Sequence, residues 1–361
     1  MSLLTRAPFA PTLRQSIPRA HLPPRACPQA RRSIAHFKPG LLDLAFETFQ
    51  PSVPEPGGPL IIVHGLFGSK QNWRSLMKLL GTALGRRVYT LDMRNHGTSP
   101  HNPKMDYVTM GEDILQFMLQ HKIKKDVTLM GHSMGGKVVM ALALNPQLEA
   151  RLPGALARLI SVDMSPAAGK LSDEFRGYID AMEAVEAAQV NTKKQADPIL
   201  EKWEKDVSVR QFLLTNLLPV KEKAVNQHAQ FRIPLRFLHN AMDNIGSFPY
   251  PPDGGHTWPG RTLFIKGERS KYINKHNIPL LKTYFPNSTL ETLDTGHWVH
   301  AEKPKEFVEL VTQFIRADDK PPKEQAEGAE ELGRDESESE LEPEAEPGTG
   351  KEKQHTAETA A

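Results

Sequence analysis

The sequence predicts an α/β fold: a mostly parallel, doubly wound sheet with a helical cap inserted after the sixth strand. Three observations predict it. Short apolar runs recur along the chain, each followed by a segment of helix length. One of them leads straight into Gly131-His132-Ser133-Met134-Gly135 and then into a buried helix. The alternation stops at about residue 167 and resumes after about 258, as an insertion between strands would make it do.

Residues 42–49 alternate apolar and polar side chains and read as an antiparallel edge strand. A Pro-rich turn follows over 51–59. Leu60-Ile61-Ile62-Val63 is wholly apolar, the pattern of a parallel strand covered on both faces. It ends in His64-Gly65-Leu66-Phe67-Gly68, and 72–84 then has helical periodicity. Val88-Tyr89-Thr90-Leu91 is the next strand, and 107–120 an amphipathic helix. Strand 126–130 and helix 136–144 flank the glycine–serine motif. Leu159-Ile160-Ser161-Val162 is another buried strand, ending at Asp163. The cap reads as helical segments over 173–190, 193–217 and 220–230, with no strand of its own. Strands resume at Thr262-Leu263-Phe264-Ile265. A short helix over 278–285, a last strand over 289–293 and a helix from Pro304 to Ile315 complete the domain.

Strand, Gly-x-Ser-x-Gly, then helix is the context of the nucleophile elbow in the α/β-hydrolase fold. The turn is too sharp for side chains at its flanks. Gly131 and Gly135 let the strand and helix backbones approach, and Ser133 is held exposed at the helix N-terminus.

A serine hydroxyl needs a base within reach and a carboxylate to orient that base. In this fold the chain order is serine, acid, histidine. The base therefore lies after the last strand, where His297 sits in Gly296-His297-Trp298. His300 is the other candidate, expected to be structural, and His132 points away if Ser133 points up. The acid is commonly found in the loop after strand 263–265, which here reads Lys266-Gly267-Glu268-Arg269-Ser270, with serine in the place of the aspartate. Asp163 ends a buried strand, where catalytic groups collect in open α/β sheets. It ranks first as the acid. Glu268, expected to pair with Arg269 or Lys271, ranks second, and Asp294, expected to brace its loop, third.

The oxyanion of an acyl-transfer intermediate needs two donors. The backbone N–H of Met134 is one, and Leu66 or Phe67 supplies the other. Asp92, Arg94 and His96 read as a network bracing the loop behind the elbow. Lys122, Lys124 and Lys125 read as a solvated helix end. No metal-ligand cluster and no phosphate-binding glycine loop is present in the sequence, so no metal or cofactor is expected.

The net charge of +2 conceals opposed ends. Residues 1–42 hold six Arg, one Lys and no acid, whereas 318–361 hold fifteen Asp or Glu against five Lys or Arg. The remainder is mildly basic, too diffusely to argue for nucleic acid. An acid-free, arginine-bearing N-terminus without an apolar core fits a mitochondrial presequence over 1–36, with cleavage near Arg31-Arg32-Ser33-Ile34 and a matrix destination. The only cysteine, Cys27, lies inside it, so the processed chain has no thiol chemistry. No apolar run is long enough to span a bilayer. Residues 37–317 form the folded domain, and the acidic tail from 318 is expected to be disordered and leaves any protein partner open.

Several of these runs are more specific than the elbow alone. They are His64 to Trp73, Asp92-Met93-Arg94-Asn95-His96-Gly97, Gly131 to Lys137, Val162-Asp163-Met164-Ser165-Pro166, and Gly296-His297-Trp298. Together they resemble the α/β-hydrolases of the abhydrolase-domain-containing protein eleven and yeast ethanol acetyltransferase family. The resemblance spans residues 60–305. It implies Asp163 as the acid and a mitochondrial setting. It also implies a serine carboxylic-ester hydrolase acting on a small acyl ester or thioester through an acyl-Ser133 intermediate, with esterase, thioesterase and alcohol acyltransferase outcomes sharing that intermediate. The connection over 145–154 looks longer than in the family, and the acidic tail has no counterpart there. The alternative is a non-catalytic ligand-binding protein on the same scaffold.

Overall fold

The structure, a computed structural model, describes residues 40–218, 220 and 228–317. The expected presequence with Cys27, the acidic tail and most of the expected 220–230 helix lie outside the described residues.

Seven strands form the central sheet: β1 (Phe46–Phe49), β2 (Leu60–Val63), β3 (Val88–Leu91), β4 (Val127–His132), β5 (Leu156–Val162), β8 (Arg261–Gly267) and β9 (Ser288–Leu293). Their order is β1-β3-β2-β4-β5-β8-β9. Every pairing is parallel except the edge strand β1, which runs antiparallel to β3 with Phe46 opposite Leu91.

The apolar strand runs are explained by what lies on each face. Ile61, Val63 and Leu129 point to one side, where α2 (Tyr107–Gln120) and α3 (Met134–Ala143) pack. Leu60, Ile62 and Met130 point to the other, against α1 (Arg74–Leu84) and α11 (Pro304–Arg316). Successive strand side chains alternate faces, so a strand covered on both sides has no polar position to offer. The long connection after α3 forms α4 (Pro146–Arg151), with Pro146 at its first turn and the Asn145 side chain accepting from the Gln147 N–H.

The cap lies between β5 and β8, so it follows the fifth strand of the sheet rather than the sixth. Among the described residues only one strand, β1, precedes Leu60. The cap comprises α5 (Asp173–Ala187), α6 (Lys193–Leu200), α7 (Val207–Leu214), β6 (Leu217–Leu218), β7 (Gln230–Phe231) and α8 (Leu235–Gly246). The stretch expected as one helix over 193–217 is thus two. Asp206 opens the second by accepting from the Ser208 N–H at 2.7 Å, a capping bond that a helix interior would not provide. The cap also carries a small antiparallel ladder, β6 with β7, where no strand was expected. The two remaining helices are α9 (Ile278–Tyr284) and the one-turn α10 (Val299–Glu302).

Candidate active site

Ser133 sits between β4 and α3 with φ 54° and ψ −120°, a conformation that costs a non-glycine residue energy and that the packing must hold. The flanking glycines are the reason it can be held. A Cβ on Gly131 would lie 2.1 Å from the Gly135 carbonyl oxygen, and one on Gly135 would lie 2.5 Å from the Val63 oxygen. Both contacts are with backbone, so neither could give way.

Asp163 follows β5 with φ 49° and is fully buried. Its Oδ1 accepts the Gly267 N–H at 3.0 Å. Its Oδ2 accepts the His297 Nδ1–H at 2.7 Å and also the Ser270 hydroxyl. That fixes the imidazole tautomer and leaves Nε2 of His297 as the free basic nitrogen. The loop carrying His297 is itself tied: the Glu302 carboxylate accepts the Gly296 N–H at 2.8 Å, and the Tyr272 ring lies 4.2 Å from the His297 ring. Ser133 and His297 open onto the same cavity, but among the described residues no hydrogen bond joins them. Such contacts commonly close only around bound substrate.

The other acid candidates lie elsewhere. Glu268 is exposed, and it does not pair with Arg269. That guanidinium is taken by Asp294 and by Glu302. Asp294 therefore braces the loop beneath His297 from the solvent side.

One expected oxyanion donor is not available. The Phe67 N–H is donated to His96 Nε2 at 3.1 Å, in a buried bond, because the turn bends at Phe67 (φ 61°) and aims this amide inward. Of the three expected amides, those of Leu66 and Met134 remain for the cavity, which both residues line. His96 can accept because its Nδ1–H donates to the Arg94 carbonyl at 2.9 Å. Burial, and next the charge of His64, push it down to about 3, so it stays neutral.

The network behind the elbow is as expected and more extensive. Asp92 accepts from the Lys70 ammonium, the Lys70 N–H at 2.7 Å and the Thr98 N–H at 2.8 Å. Arg94 grips Asp113 through two bonds of 2.7 and 2.8 Å, both side chains fully buried. His64 Nε2 accepts the Met93 N–H at 3.0 Å. His132 packs against the base: its ring lies 4.7 Å from the His297 ring, and its Nε2–H donates to the His297 carbonyl at 2.9 Å. His300 is structural, stacked on Trp73 at 4.2 Å.

Two cavities meet at Ser133. The smaller, about 150 Å³, is apolar, walled by Phe67, Phe175, Tyr178, Phe212 and Trp298. The larger, about 610 Å³, opens beneath the cap and has Lys137 in its wall. Lys137 lies one helical turn after Ser133 and is buried. Its ammonium donates to the Gly246 and Ser247 carbonyls at 2.9 Å each, tying the end of α8 to the elbow helix. Burial pulls it down to about 8. Asn216 makes a second tie, donating to the Phe67 carbonyl at 2.7 Å. Sequence reasoning missed Ser270 as a partner of Asp163, Glu302, Lys137 and Asn216. The one signal was Lys137, a cation in an otherwise apolar helix.

Fold and site together are those of an α/β-hydrolase. The sequence model of the alpha/beta hydrolase fold matches residues 58–304, and the chain belongs to that family. Its relatives include the sn-1-specific diacylglycerol lipase ABHD11 of Xenopus tropicalis, 37% identical over 77% of this chain and 83% of that protein. The probable alcohol acetyltransferase of Saccharomyces cerevisiae is 38% identical over 75% of this chain and 80% of its own length. Among solved structures, a marine microorganism esterase superposes with a TM-score of 0.64 at 32% identity, covering 76% of this chain and 99% of that one.

Proposed function

We propose that the protein is a serine carboxylic-ester hydrolase working through an acyl-Ser133 intermediate, with transfer to an alcohol open to the same intermediate. The observation that carries this reading is the 2.7 Å bond between His297 Nδ1 and the buried Asp163, beside a serine held at a strained elbow in the same cavity.

His297 Nε2 takes the Ser133 proton as Oγ attacks the acyl carbonyl. The Leu66 and Met134 amides hold the oxyanion, already oriented before the charge develops. Asp163 steadies the imidazolium without taking its proton. The proton passes to the leaving alkoxide or thiolate, which departs and leaves the acyl ester on Ser133. Water or an alcohol then attacks that ester, with His297 again as base. The acyl group fits the small apolar cavity, and the leaving group and acceptor fit the larger one. The names of the lipase and acetyltransferase relatives support an ester or acyl donor of this kind.

Labelling with a fluorophosphonate tests the reading. Wild-type protein reacts, and Ser133→Ala does not; labelling that survives Ser133→Ala overturns it. We also propose a mitochondrial matrix location, supported by the acid-free, arginine-bearing N-terminal composition. Residues 1–42 fused to a fluorescent protein should enter mitochondria, and a cytosolic fusion would contradict it.

A further inference from the structure

At the opposite end of the sheet from Ser133, where β2, β3 and β4 begin, lies a third concavity of about 450 Å³. Gly58 and its neighbours form one wall; Arg87, His121, Lys122, Lys124 and Lys125, with Tyr89 and Ile123, form the rest, with no carboxylate in the lining. Arg87 bonds Gln50 and the Tyr89 hydroxyl, both neutral. Among the described residues, the three lysines have no acidic partner. None of these residues lines either cavity at Ser133. Asp126, bonded to the Gly58 N–H, is engaged by Arg86 and Arg158, so the lysines are left to attract an anionic chain.

The chain supplies one. We infer that the acidic run 327–346, ten Asp or Glu against one Arg, docks in this cleft. The geometry at the end of the described domain favours it. Arg316, the last residue of α11, donates to the Glu55 carboxylate at 2.8 Å and to the Ala83 carbonyl at 2.9 Å. Glu55 is three residues from Gly58. The Gly58 N–H donates to Asp126 at 2.6 Å, and a Cβ there would lie 2.5 Å from the Lys125 carbonyl oxygen. The chain therefore leaves the domain beside the cleft wall. Three residues span at most about 11 Å, and the ten from 317 to 327 up to about 35 Å, so the acidic run reaches the cleft without tension.

Each exposed ion pair is weak and screened by salt. Tethering changes the outcome, because a short linker gives an effective concentration of order millimolar and several pairs then form together. The docking is multivalent and salt-labile.

Zero-length carbodiimide cross-linking of the full chain tests it, on a mixture of isotope-labelled and unlabelled protein at low ionic strength. The expected products join Lys122, Lys124 or Lys125 to acids within 327–346 of the same chain. They should fall at least about fivefold in 0.5 M salt. The Lys122→Glu/Lys124→Glu/Lys125→Glu variant should lose them while its ester turnover is unchanged. Links concentrated on the basic residues 1–42, links between labelled and unlabelled chains, or links scattered over all exposed lysines would each overturn the inference.

Discussion

The Ser270 hydroxyl donates to Asp163 Oδ2, the same oxygen that accepts the His297 Nδ1–H at 2.7 Å. A serine standing where an aspartate is common has thus kept a link to the acid. Ser270→Ala should lower kcat/KM about tenfold, the cost of one hydrogen bond to a charged group. The carboxylate then spends more of its charge on the imidazolium, so the acid limb of the pH–kcat/KM profile should move to higher pH. Ser270→Thr should restore both. An unmoved profile in Ser270→Ala would make Ser270 a packing residue only.

Asp163→Asn should reduce kcat/KM by roughly a thousandfold or more, because an amide at that position no longer enforces the His297 tautomer. Glu268→Gln, altering an exposed side chain, should stay within about twofold of wild type. The opposite pattern in ester turnover would move the acid to the loop after β8.

Four buried histidines predict how the fold responds to acid. His64 and His132 lie below the ordinary 6.5, and His96 and His300 are pushed down to about 3, burial being the first cause for all four. The unfolded chain therefore binds more protons than the native one below about pH 6.5. Stability is fully present above that pH and is lost as pH falls below it, by up to about 1.4 kcal/mol per pH unit for each histidine that the fold keeps neutral, and for His96 and His300 the loss continues down to about 3. Thermal unfolding between pH 8 and 4 should show Tm falling steeply below 6.5. His300→Phe, replacing a ring stacked on Trp73, should flatten the fall.

The wall of the small cavity predicts acyl selectivity. Phe212 of the cap meets Trp298 edge to face at 4.6 Å and closes one side. Short acyl esters such as p-nitrophenyl butyrate should be turned over at least about tenfold faster than the dodecanoate, and Phe212→Ala should narrow that gap. Equal rates in the wild type would place the acyl chain in the larger cavity.

Much of this was legible in the sequence, for local reasons. The inner strands such as β2 and β4 read correctly because burial on both faces favours apolar residues throughout, and the elbow because Gly131 and Gly135 flank a serine between a strand and a helix. Asp163 could be picked out because it ends a buried strand. What could not be read were contacts distant along the chain. The Phe67 amide is consumed by His96, 29 residues away, and Ser270 meets Asp163 across 107 residues. The cap was read least well. Helices α6 and α7 start at the side-chain caps of Thr192 and Asp206, and the β6–β7 ladder is too short to carry a period.

The central claim is that Ser133 carries the acyl group. It is tested most directly by acid-quenching the protein during turnover of p-nitrophenyl butyrate and mapping the adduct by peptide mass spectrometry. A butyryl mass increment should appear on the peptide containing Ser133 and vanish, together with turnover, in Ser133→Ala. Butyrylation at another residue, or ester turnover that persists in Ser133→Ala, would contradict the account.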